Sequence, residues 1–424
     1  MKNRGLITTL LLTQGISLIG SRMTGIAIGI WLFQATEKTT YLLLIPFFNE
    51  IPSLLTGHII GVFVDRWHKK YSIILGDFGQ AVGTLILLLS LKTIGFSPWI
   101  LYSVVALQGM FSMMQTTAAD VMMTLLTDEA SRDRINGLKE MIFPVASFLG
   151  PALTAVIYPF VGLTGVITLD LVSFLIAVIT ISTLRLPAVS NKPQIEETRI
   201  MNKALSEALH YFKKHKSLVC FLIYFGFTNF MLNGSLELIT PYLLSLSLSE
   251  SAVAGMMSFM GIATFTGAFL ITIAGSSNKR VKSIFMLMLL SSSMMILLGI
   301  SRQLLLIGLS LFLVMLPLPM VNARLKSLLQ SYVPVHLQGR VFSISYQIAY
   351  GTAPISFILV GPIVDKWLEP NMIAGTWPFL SSWFGNSNGS GIGVVLAFAG
   401  ISIFIVTFVA ALYEPLNSLD EVRS

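Results

Sequence analysis

The chain has little charge and a single cysteine, and both shortages restrict what it can be. Only 11% of its 424 residues are charged, while 54% are hydrophobic. A soluble domain carries about 25% charged residues, so this composition excludes a soluble globular protein. Cys220 is the one cysteine and stands in an apolar run. A disulfide framework and a cysteine-based metal site are therefore excluded as well.

Several motifs of catalysis and targeting are also missing from the sequence. It contains no Walker loop, no nucleophile elbow and no His/Asp/Glu cluster at metal-ligand spacing, so we predict no enzyme, no ATP-driven pump, no metal and no cofactor. A channel would need a ring of charges or carbonyls, which is not recognisable. After Lys2 and Arg4 the apolar run is longer than a signal-peptide core and lacks a small-residue cleavage site. We therefore expect the first span to be retained.

Long apolar stretches fill the chain instead. A membrane span needs about 20 largely apolar residues to cross ~30 Å of hydrocarbon. Stretches of this length are rich in Leu, Ile and Phe and are too long for the strands of an outer-membrane barrel. The sequence therefore predicts an all-α polytopic membrane protein with twelve transmembrane helices. The predicted spans are residues 7–33, 39–64, 71–92, 97–126, 135–161, 164–185, 217–246, 251–275, 281–300, 303–330, 338–365 and 390–413.

The basic residues are distributed unevenly over the loops. When alternate loops are assigned to opposite sides, one side receives only Lys38, Lys92, Arg302 and Lys366, and Arg22 lies within a span. The remaining Lys and Arg residues fall on the side of the N-terminus. By the positive-inside rule both termini face the cytoplasm of a plasma membrane, the inner membrane in a bacterium. The formal charge of +7 thus reflects topology, and we predict no nucleic-acid partner.

The spans fall into two halves. We expect a six-helix bundle over 1–186, a cytoplasmic linker over 187–216 and a second six-helix bundle over 217–424. Apolar residues from Ile200 to Phe212 recur at helical spacing, which predicts an amphipathic helix at the inner interface, either a tether or a regulatory element. Arg134 and Arg340 each open the fifth span of their half. This suggests a parallel repeat, in which substrates bind near the midplane between the halves.

The loop between the second and third spans carries the sharpest motif, GVFVDRWHKK over residues 61–70. Gly61 permits close helix approach, and Asp65 can reach an opposing helix N-terminus, where the macrodipole favours a carboxylate. The pattern resembles the signature loop of the major facilitator superfamily, with His68 where that family usually has a second glycine. The resemblance implies a fold of two pseudo-symmetric six-helix bundles, with the opposing helix starting at Arg340. A similar sequence over 361–367 lies at the outer end of span eleven, where we interpret it as helix termination.

Shorter motifs narrow the resemblance to one branch. Gly150 and Pro151 in FLGPA resemble the Gly-Pro motif of drug antiporters, although Leu153 and Thr154 replace the usual small pair. The sequences DLVSF over 170–174 and YFKKHKSL over 211–218 resemble the macrolide-efflux and enterobactin-exporter branch of drug:proton antiporters.

Ionisable residues inside a membrane are costly, so each is a functional candidate. Arg22 and Glu50 each lie about 11 residues from the outer end of their spans, ~16 Å deep at 1.5 Å per residue. We predict an ion pair, either proton-linked or permanent, and take Glu50 as the only acidic residue of the first three spans near the midplane. His58 lies two turns from Glu50 and is a further proton-coupling candidate. Asp170 is interpreted as a satisfied interfacial carboxylate.

Two polar stripes follow helical spacing and should face protein rather than lipid. Asn229, Asn233 and Glu237 recur every fourth residue of span seven and either line the substrate path or bond to neighbouring helices. Gln108, Ser112 and Gln115 of span four are further candidates for lining the cavity. Asp120, near the cytoplasmic end of that span, is predicted to pair with Arg66 or Lys70. The predicted gate comprises Gly61, Asp65, Arg66, Lys69, Lys70, Asp120 and Arg340.

These features together predict a secondary transporter that acts as a monomer. Its expected partners are the lipid bilayer, protons and a small-molecule substrate. We expect proton-coupled efflux of a small amphiphilic drug or natural product by alternating access. One alternative is a lipid or glycolipid flippase or a siderophore exporter. Another, from a different class, is a non-transporting membrane sensor or scaffold built on the same fold.

Overall fold

The structure is a computed structural model that describes residues 4–95, 97–127, 135, 138–139, 141–184, 210–274 and 279–420. Every regular element in these ranges is helical, which confirms the predicted all-α class. Helices lie at all twelve predicted spans. Nine helices in the described ranges are long and apolar enough to cross a membrane, so the count of twelve crossings stays a prediction.

The chain divides into two compact units. The first comprises Met1–Pro193 with Leu248–Ser258, and the second comprises Gln194–Ser247 with Phe259–Ser424. The helices of the first unit are α1 (Arg4–Thr36), α2 (Thr39–Arg66), α3 (Lys69–Thr93), α4 (Pro98–Leu126) and α5 (Ile142–Thr183). Pro98 stands in the first turn of α4, where its missing N–H costs no helical hydrogen bond. The predicted linker helix over 200–212 lies almost wholly outside the described residues, and the predicted domain boundaries stay predictions.

The second unit contains shorter helices that follow one another closely. They are α6 (Lys216–Glu237), α7 (Ile239–Ser245), α8 (Glu250–Ala274, whose residues up to Ser258 belong to the first unit), α9 (Arg280–Ile300), α10 (Leu304–Met315), α11 (Pro317–Tyr332), α12 (Val335–Tyr350), α13 (Ala353–Ile363), α14 (Glu369–Ile373), α15 (Pro378–Phe384), α16 (Ser390–Leu412) and α17 (Glu414–Asn417).

The fifth and sixth predicted spans form the single element α5, which is bent at one glycine. At 1.5 Å per residue a straight helix over 142–183 would be ~63 Å long, about twice the hydrocarbon thickness. Gly162 has φ 63° and ψ −171°, a left-handed conformation that a residue with a Cβ rarely adopts. The first arm (142–161) and the second arm (163–183) each have about the length of one membrane crossing, and the break between them falls between the predicted fifth and sixth spans.

The end of span eleven differs from the prediction. The chain does not stop being helical near residue 365 but continues through a wide, π-helical turn at Val364–Leu368 into α14. Pro362 lacks an N–H and disturbs the regular hydrogen-bond ladder, and a wide turn absorbs such a disturbance without ending the helix. Glu369 then accepts hydrogen bonds from the backbone N–H groups of Gly389 and Gly391 at the start of α16. The interpretation of 361–367 as helix termination is wrong.

Glycines set the closest helix contacts of the first unit. A Cβ added at Gly109 of α4 would lie 2.2 Å from the backbone oxygen of Asn49 in α2. At Gly25 of α1 the same added atom would meet nothing within 4 Å. Only the first position therefore depends on the missing side chain.

Replacing Gly109 by alanine should destabilise the protein by about 1–3 kcal/mol, because a carbonyl of a packed helix cannot move aside cheaply. The matched Gly25→Ala variant should leave stability unchanged or raise it by up to about 1 kcal/mol, since alanine favours a helix over glycine. Thermal unfolding of both purified variants, followed by circular dichroism, measures the difference. Equal midpoints would show that α2 and α4 do not depend on this contact.

Candidate substrate cavity and proton sites

A cavity of about 330 Å³ lies within the first unit, among α1, α3, α4 and the start of α5. Its polar wall includes Gln14, Ser21, Ser112, Gln115, Asp120 and Lys139. Its apolar wall includes Leu11, Leu18, Met123, Ile142 and Phe143. The mixture of apolar surface with a few convergent polar groups is typical of small-molecule sites, which span about 300–1,000 Å³.

Arg22 and the Gly-Pro motif meet beside this cavity. The guanidinium carbon of Arg22 lies 4.6 Å from the centroid of the Phe143 ring, a cation–π contact with a cavity residue. A Cβ at Gly150 would lie 2.6 Å from the Cβ of Arg22, so the glycine allows α5 to approach α1 at this arginine. Pro151 is buried beside it, and Thr154 donates to the Gly150 carbonyl at 2.8 Å. The motif thus positions Arg22.

Asp120 forms an ion pair on the cavity wall with Lys139, which the sequence analysis did not predict, while the predicted alternative partner Arg66 stays a prediction. Lys139 Nζ lies 2.5 Å from Asp120 Oδ1. Lys70 donates instead to the carbonyls of Ser182 and Leu184 at 2.7 and 2.8 Å. The ammonium group of Lys70 therefore lies at the C-terminal end of α5, where the helix macrodipole favours a cation. The predicted pair of Asp120 with Lys70 is therefore wrong in this structure.

The signature loop is tied to the end of α2. Lys69 is 2% exposed, and its ammonium donates to the Val64 carbonyl at 2.7 Å. His68 has φ −61° and ψ 117°, which any residue adopts, so the loop does not need the second glycine of the family pattern. Among the residues that the structure describes, no atom lies within 4 Å of a Cβ added at Gly61, so this glycine makes no close helix contact there, and an approach to the helix that starts at Arg340 stays a prediction.

For four candidate residues the structure describes the backbone but not the side chain. They are His58, Asp65, Arg66 and Arg340. Their predicted roles in proton coupling and gating stay predictions.

The polar stripe of α4 divides between two roles. Ser112 and Gln115 line this cavity, and their predicted contact with a substrate stays a prediction. Gln108 does not line it, because its amide donates to the backbone oxygen of Gln80 and to Thr84 Oγ1 on α3, at 3.2 and 3.0 Å. Gln108 lies one helical turn before Ser112 and bonds to α3, so it joins α4 to α3.

Asp77 was missed by the sequence analysis. It lies about eight residues into α3, ~12 Å from the inner end of that helix, so Glu50 is not the only acidic residue near the midplane of the first three spans. Asp77 is fully buried and accepts a hydrogen bond from Gln115 Nε2 at 2.8 Å. An aspartate flanked by Gly76 and Gly79 in an apolar helix was the available signal.

Glycines also explain why Asp77 reaches Gln115. A Cβ at Gly76 would lie 2.5 Å from the Cβ of Gln115, and one at Gly79 would touch the ring of Phe111 at 2.5 Å. The two missing side chains let α3 and α4 approach closely over one turn. Close approach brings a short carboxylate within reach of the glutamine.

Asp170 is a satisfied carboxylate, as expected, but it lies in the helix interface. It is 2% exposed, and the hydroxyls of Ser21 and Ser173 each lie 3.5 Å from its Oδ1. Gly20 of α1 provides the room, since a Cβ there would lie 2.8 Å from that oxygen. Asp170 therefore helps to join α1 to the second arm of α5.

The predicted stripe of span seven is half-buried in the second unit. The amide of Asn229 donates to the Phe225 carbonyl at 3.0 Å, and that of Asn233 donates to the Asn229 carbonyl at 2.8 Å. Both amide nitrogens thus bond within their own helix. Whether this stripe and Glu237 line a substrate path stays a prediction, as does the Arg22–Glu50 pair.

The chain is similar to known transporters in sequence and in fold. The sequence profile of the Major Facilitator Superfamily matches residues 10–357. Macrolide efflux protein A of Streptococcus pyogenes is 25% identical over 369 residues, covering 83% of this chain and 88% of that protein. Macrolide efflux protein A of Enterococcus faecalis is 24% identical over 321 residues, covering 72% of this chain and 95% of that protein.

Among solved structures, a mutant of the nucleoside transporter NupG matches with a TM-score of 0.77 at 12% identity, over 95% of this chain and 99% of that one. This second likeness concerns the fold alone. The predicted resemblance to the macrolide-efflux branch is confirmed at the level of sequence. Because the family profile covers most of a polytopic helical chain, the protein belongs to the Major Facilitator Superfamily of membrane transporters.

Proposed function

We propose that this transporter exports small amphiphilic compounds, macrolides among them, in exchange for protons by alternating access. It would act in the bacterial cytoplasmic membrane with both termini in the cytoplasm. The observation that carries the proposal is the cavity of the first unit, which combines apolar side chains with an ion pair and with amide and hydroxyl groups from α1 and α4.

The cavity suits an amphiphile for a physical reason. Apolar side chains such as Leu18, Met123 and Ile142 favour an apolar body, and Met adapts its shape to different ligands. The polar groups of the lining fix the orientation of a substrate that carries a few donors or acceptors. The two Macrolide efflux proteins A, both similar over most of this chain, support macrolides as the first substrates to test.

Proton coupling is proposed from the buried charges of the first unit. Glu50 and Arg22 are both partly buried on helices of the same unit. An ionisable group in a span is retained only where it has a role, because its desolvation is costly. His58 belongs to the same proposal as a further proton site.

Transport in energised membrane vesicles tests the proposal. Everted vesicles that contain the protein should accumulate radiolabelled erythromycin when a proton gradient is imposed, and an uncoupler should abolish the accumulation. Vesicles without the protein are the control. Accumulation that survives the uncoupler would exclude proton coupling. Transfer of a fluorescent lipid between leaflets, with no accumulation of erythromycin, would favour a flippase instead.

The Asp120–Lys139 pair gives a separate prediction about gating. Both side chains are partly exposed, so the pair contributes about 0.2–1 kcal/mol and its loss should change a conformational equilibrium by up to about fivefold. We expect Asp120→Asn to broaden spin-label distances across the cytoplasmic ends of α2 and α12, measured after the exposed Cys220 is replaced by serine.

The charge-swapped double variant, Asp120→Lys with Lys139→Asp, is the control for the gate. It keeps an ion pair in reversed order and should restore the wild-type distances. Unchanged distances in Asp120→Asn would show that the pair has no part in gating.

A further inference from the structure

Asp77, Gln115 and Gln14 form a continuous chain of hydrogen bonds that ends at the cavity. Gln115 Nε2 donates to Asp77 Oδ1 at 2.8 Å and to Gln14 Oε1 at 2.6 Å. Gln14 and Gln115 both line the cavity, whereas Asp77 is fully buried behind them. Within the part of the chain that the structure describes, the carboxylate is therefore linked to the cavity by hydrogen bonds through the two amides.

Two buried atoms in this series of hydrogen-bonded side chains have no hydrogen-bond partner among the described residues. They are Asp77 Oδ2 and Gln14 Nε2. Nearly all buried polar atoms in folded proteins are paired, and an unpaired one calls for an explanation. At one end of the hydrogen-bonded chain the Asp77 carboxyl group thus has an open acceptor position, to which a proton can bind, and at the other end Gln14 has an open donor.

The two hydrogens of the Gln115 amide are both in use. One is donated to Asp77 and the other to Gln14. Gln115 therefore has only its Oε1 acceptor to offer to a molecule in the cavity that it lines. In this state the polar wall at Gln115 favours a substrate that donates a hydrogen bond.

A proton on Asp77 would reverse the direction of the hydrogen bonds between Asp77, Gln115 and Gln14. Hydronium transfers a proton to the carboxylate and leaves water, and the carboxyl O–H becomes a donor. Gln115 must then present an oxygen to Asp77, which it does by turning its amide half a rotation about the last torsion. Gln14 turns in the same way, so that its formerly unpaired Nε2 donates to Gln115 Oε1. The amide nitrogen of Gln115 now faces the cavity.

We propose that Asp77 is a proton-binding site whose protonation turns Gln115 from a hydrogen-bond acceptor into a donor toward the substrate cavity. The ionised state then favours an amphiphile that carries an ammonium N–H, and the protonated state disfavours it. A proton and a cationic substrate therefore bind in competition, as an exchanger requires. The inference rests on the proposed function for its substrate, although the proton site itself does not.

Other charged groups lie on the elements around Asp77. They are Arg22 of α1, Glu50 of α2, Asp120 of α4, Asp170 of α5 and Lys139 ahead of α5, with Lys69 and Lys70 on α3 itself. The sequence of α2 also contains His58, Asp65 and Arg66, whose side chains the structure does not describe. The one hydrogen bond that Asp77 accepts within the described residues comes from Gln115. Its response to a proton is therefore transmitted first through that amide.

Infrared spectroscopy of the whole protein in lipid bilayers tests the proton site without any substrate. The wild type should show the carbonyl stretch of a protonated carboxyl group that grows as the pH falls. Asp77→Asn, which is nearly isosteric, should lose this band, and Gln115→Leu should shift it. Gln108→Leu, on the same helix but bonded to α3 outside the cavity, should leave it unchanged. A spectrum of Asp77→Asn identical to that of the wild type at every pH would overturn the proposal.

Binding of erythromycin, which carries an ammonium N–H, tests the coupling to substrate. Its affinity for the wild type should fall on acidification by about 5- to 150-fold, the usual range for coupled sites, and Asp77→Asn should remove this dependence. Tetraphenylphosphonium, a cation without an N–H, should show a much smaller dependence in both proteins. If erythromycin binds with the same pH dependence to both proteins, the competition is excluded. If the wild type does not bind erythromycin while the carboxyl band is present, the proposed substrate fails and the proton site stands.

Discussion

Replacing Glu50 by glutamine should abolish proton-driven export while substrate binding largely survives. Glutamine resembles the protonated form of the side chain and cannot release a proton, so an exchange cycle that needs deprotonation at this position stops. Glu50 is partly buried on α2 and lies ~16 Å from the outer end of that span. An ionisable group is costly at this depth, which makes Glu50 a functional candidate. Uptake into proteoliposomes under an imposed proton gradient measures the loss.

The control for this experiment is Glu37→Gln. Glu37 is exposed in the short connection between α1 and α2, outside both helices, so the substitution should leave export at the wild-type rate. Equilibrium binding of erythromycin to both variants separates coupling from substrate recognition. Normal accumulation against a gradient by the Glu50→Gln protein would exclude Glu50 as the coupling site.

Replacing Gly150 by alanine should reduce export by about tenfold, because the added methyl group displaces Arg22. The new Cβ would stand 2.6 Å from the Cβ of Arg22, close to the backbone of α1, where neither helix can yield by a simple rotamer change. Overpacking of this kind costs about 1–3 kcal/mol. The same shift should weaken the contact of the guanidinium with Phe143 at the cavity.

Gly15→Ala is the matched control, since it adds the same methyl group to the same pair of helices. Its Cβ would lie 3.9 Å from Ile142 Cγ2, an ordinary packing distance, so export and thermal stability should remain near the wild type. Export rates in proteoliposomes and unfolding midpoints should both be measured. Equal rates for Gly150→Ala and Gly15→Ala would show that the Gly-Pro motif does not position Arg22 for transport.

Much of the fold was predictable because membrane spans are encoded locally. Each span must pair its own backbone groups within one helix, so length and apolar composition identify it without knowledge of its neighbours. The turn between the fifth and sixth spans was predicted to within a residue, since Gly162 interrupts two apolar runs that together are too long for one crossing. Span eleven extends beyond its predicted end because a π-helical turn absorbs Pro362, an adjustment that composition does not reveal.

The candidate site was predictable only in part. Helical spacing grouped Gln108 with Ser112 and Gln115, but only the latter two line the cavity of the first unit. Periodicity identifies a polar face and cannot tell which end of that face meets another helix. The partner of Asp120 was missed for the same reason, since Lys139 comes from a different part of the chain. Asp77 was overlooked because a lone acidic residue in an apolar helix has no local pattern.

The sequence by itself determined that the protein resides in a lipid bilayer, that it is all-helical, where its spans approximately lie and which family it belongs to. Each of these properties depends on composition or on a contiguous motif. The tertiary structure decided which polar groups meet. Gly76 brings α3 against α4 and connects Asp77 to Gln115, and Gly150 brings α5 against Arg22. Both contacts depend on the distance between two helix axes, which is set by side chains of residues far apart in the chain. For that reason the cavity and the hydrogen bonds that join Asp77 to it could not be predicted before the helices were packed together.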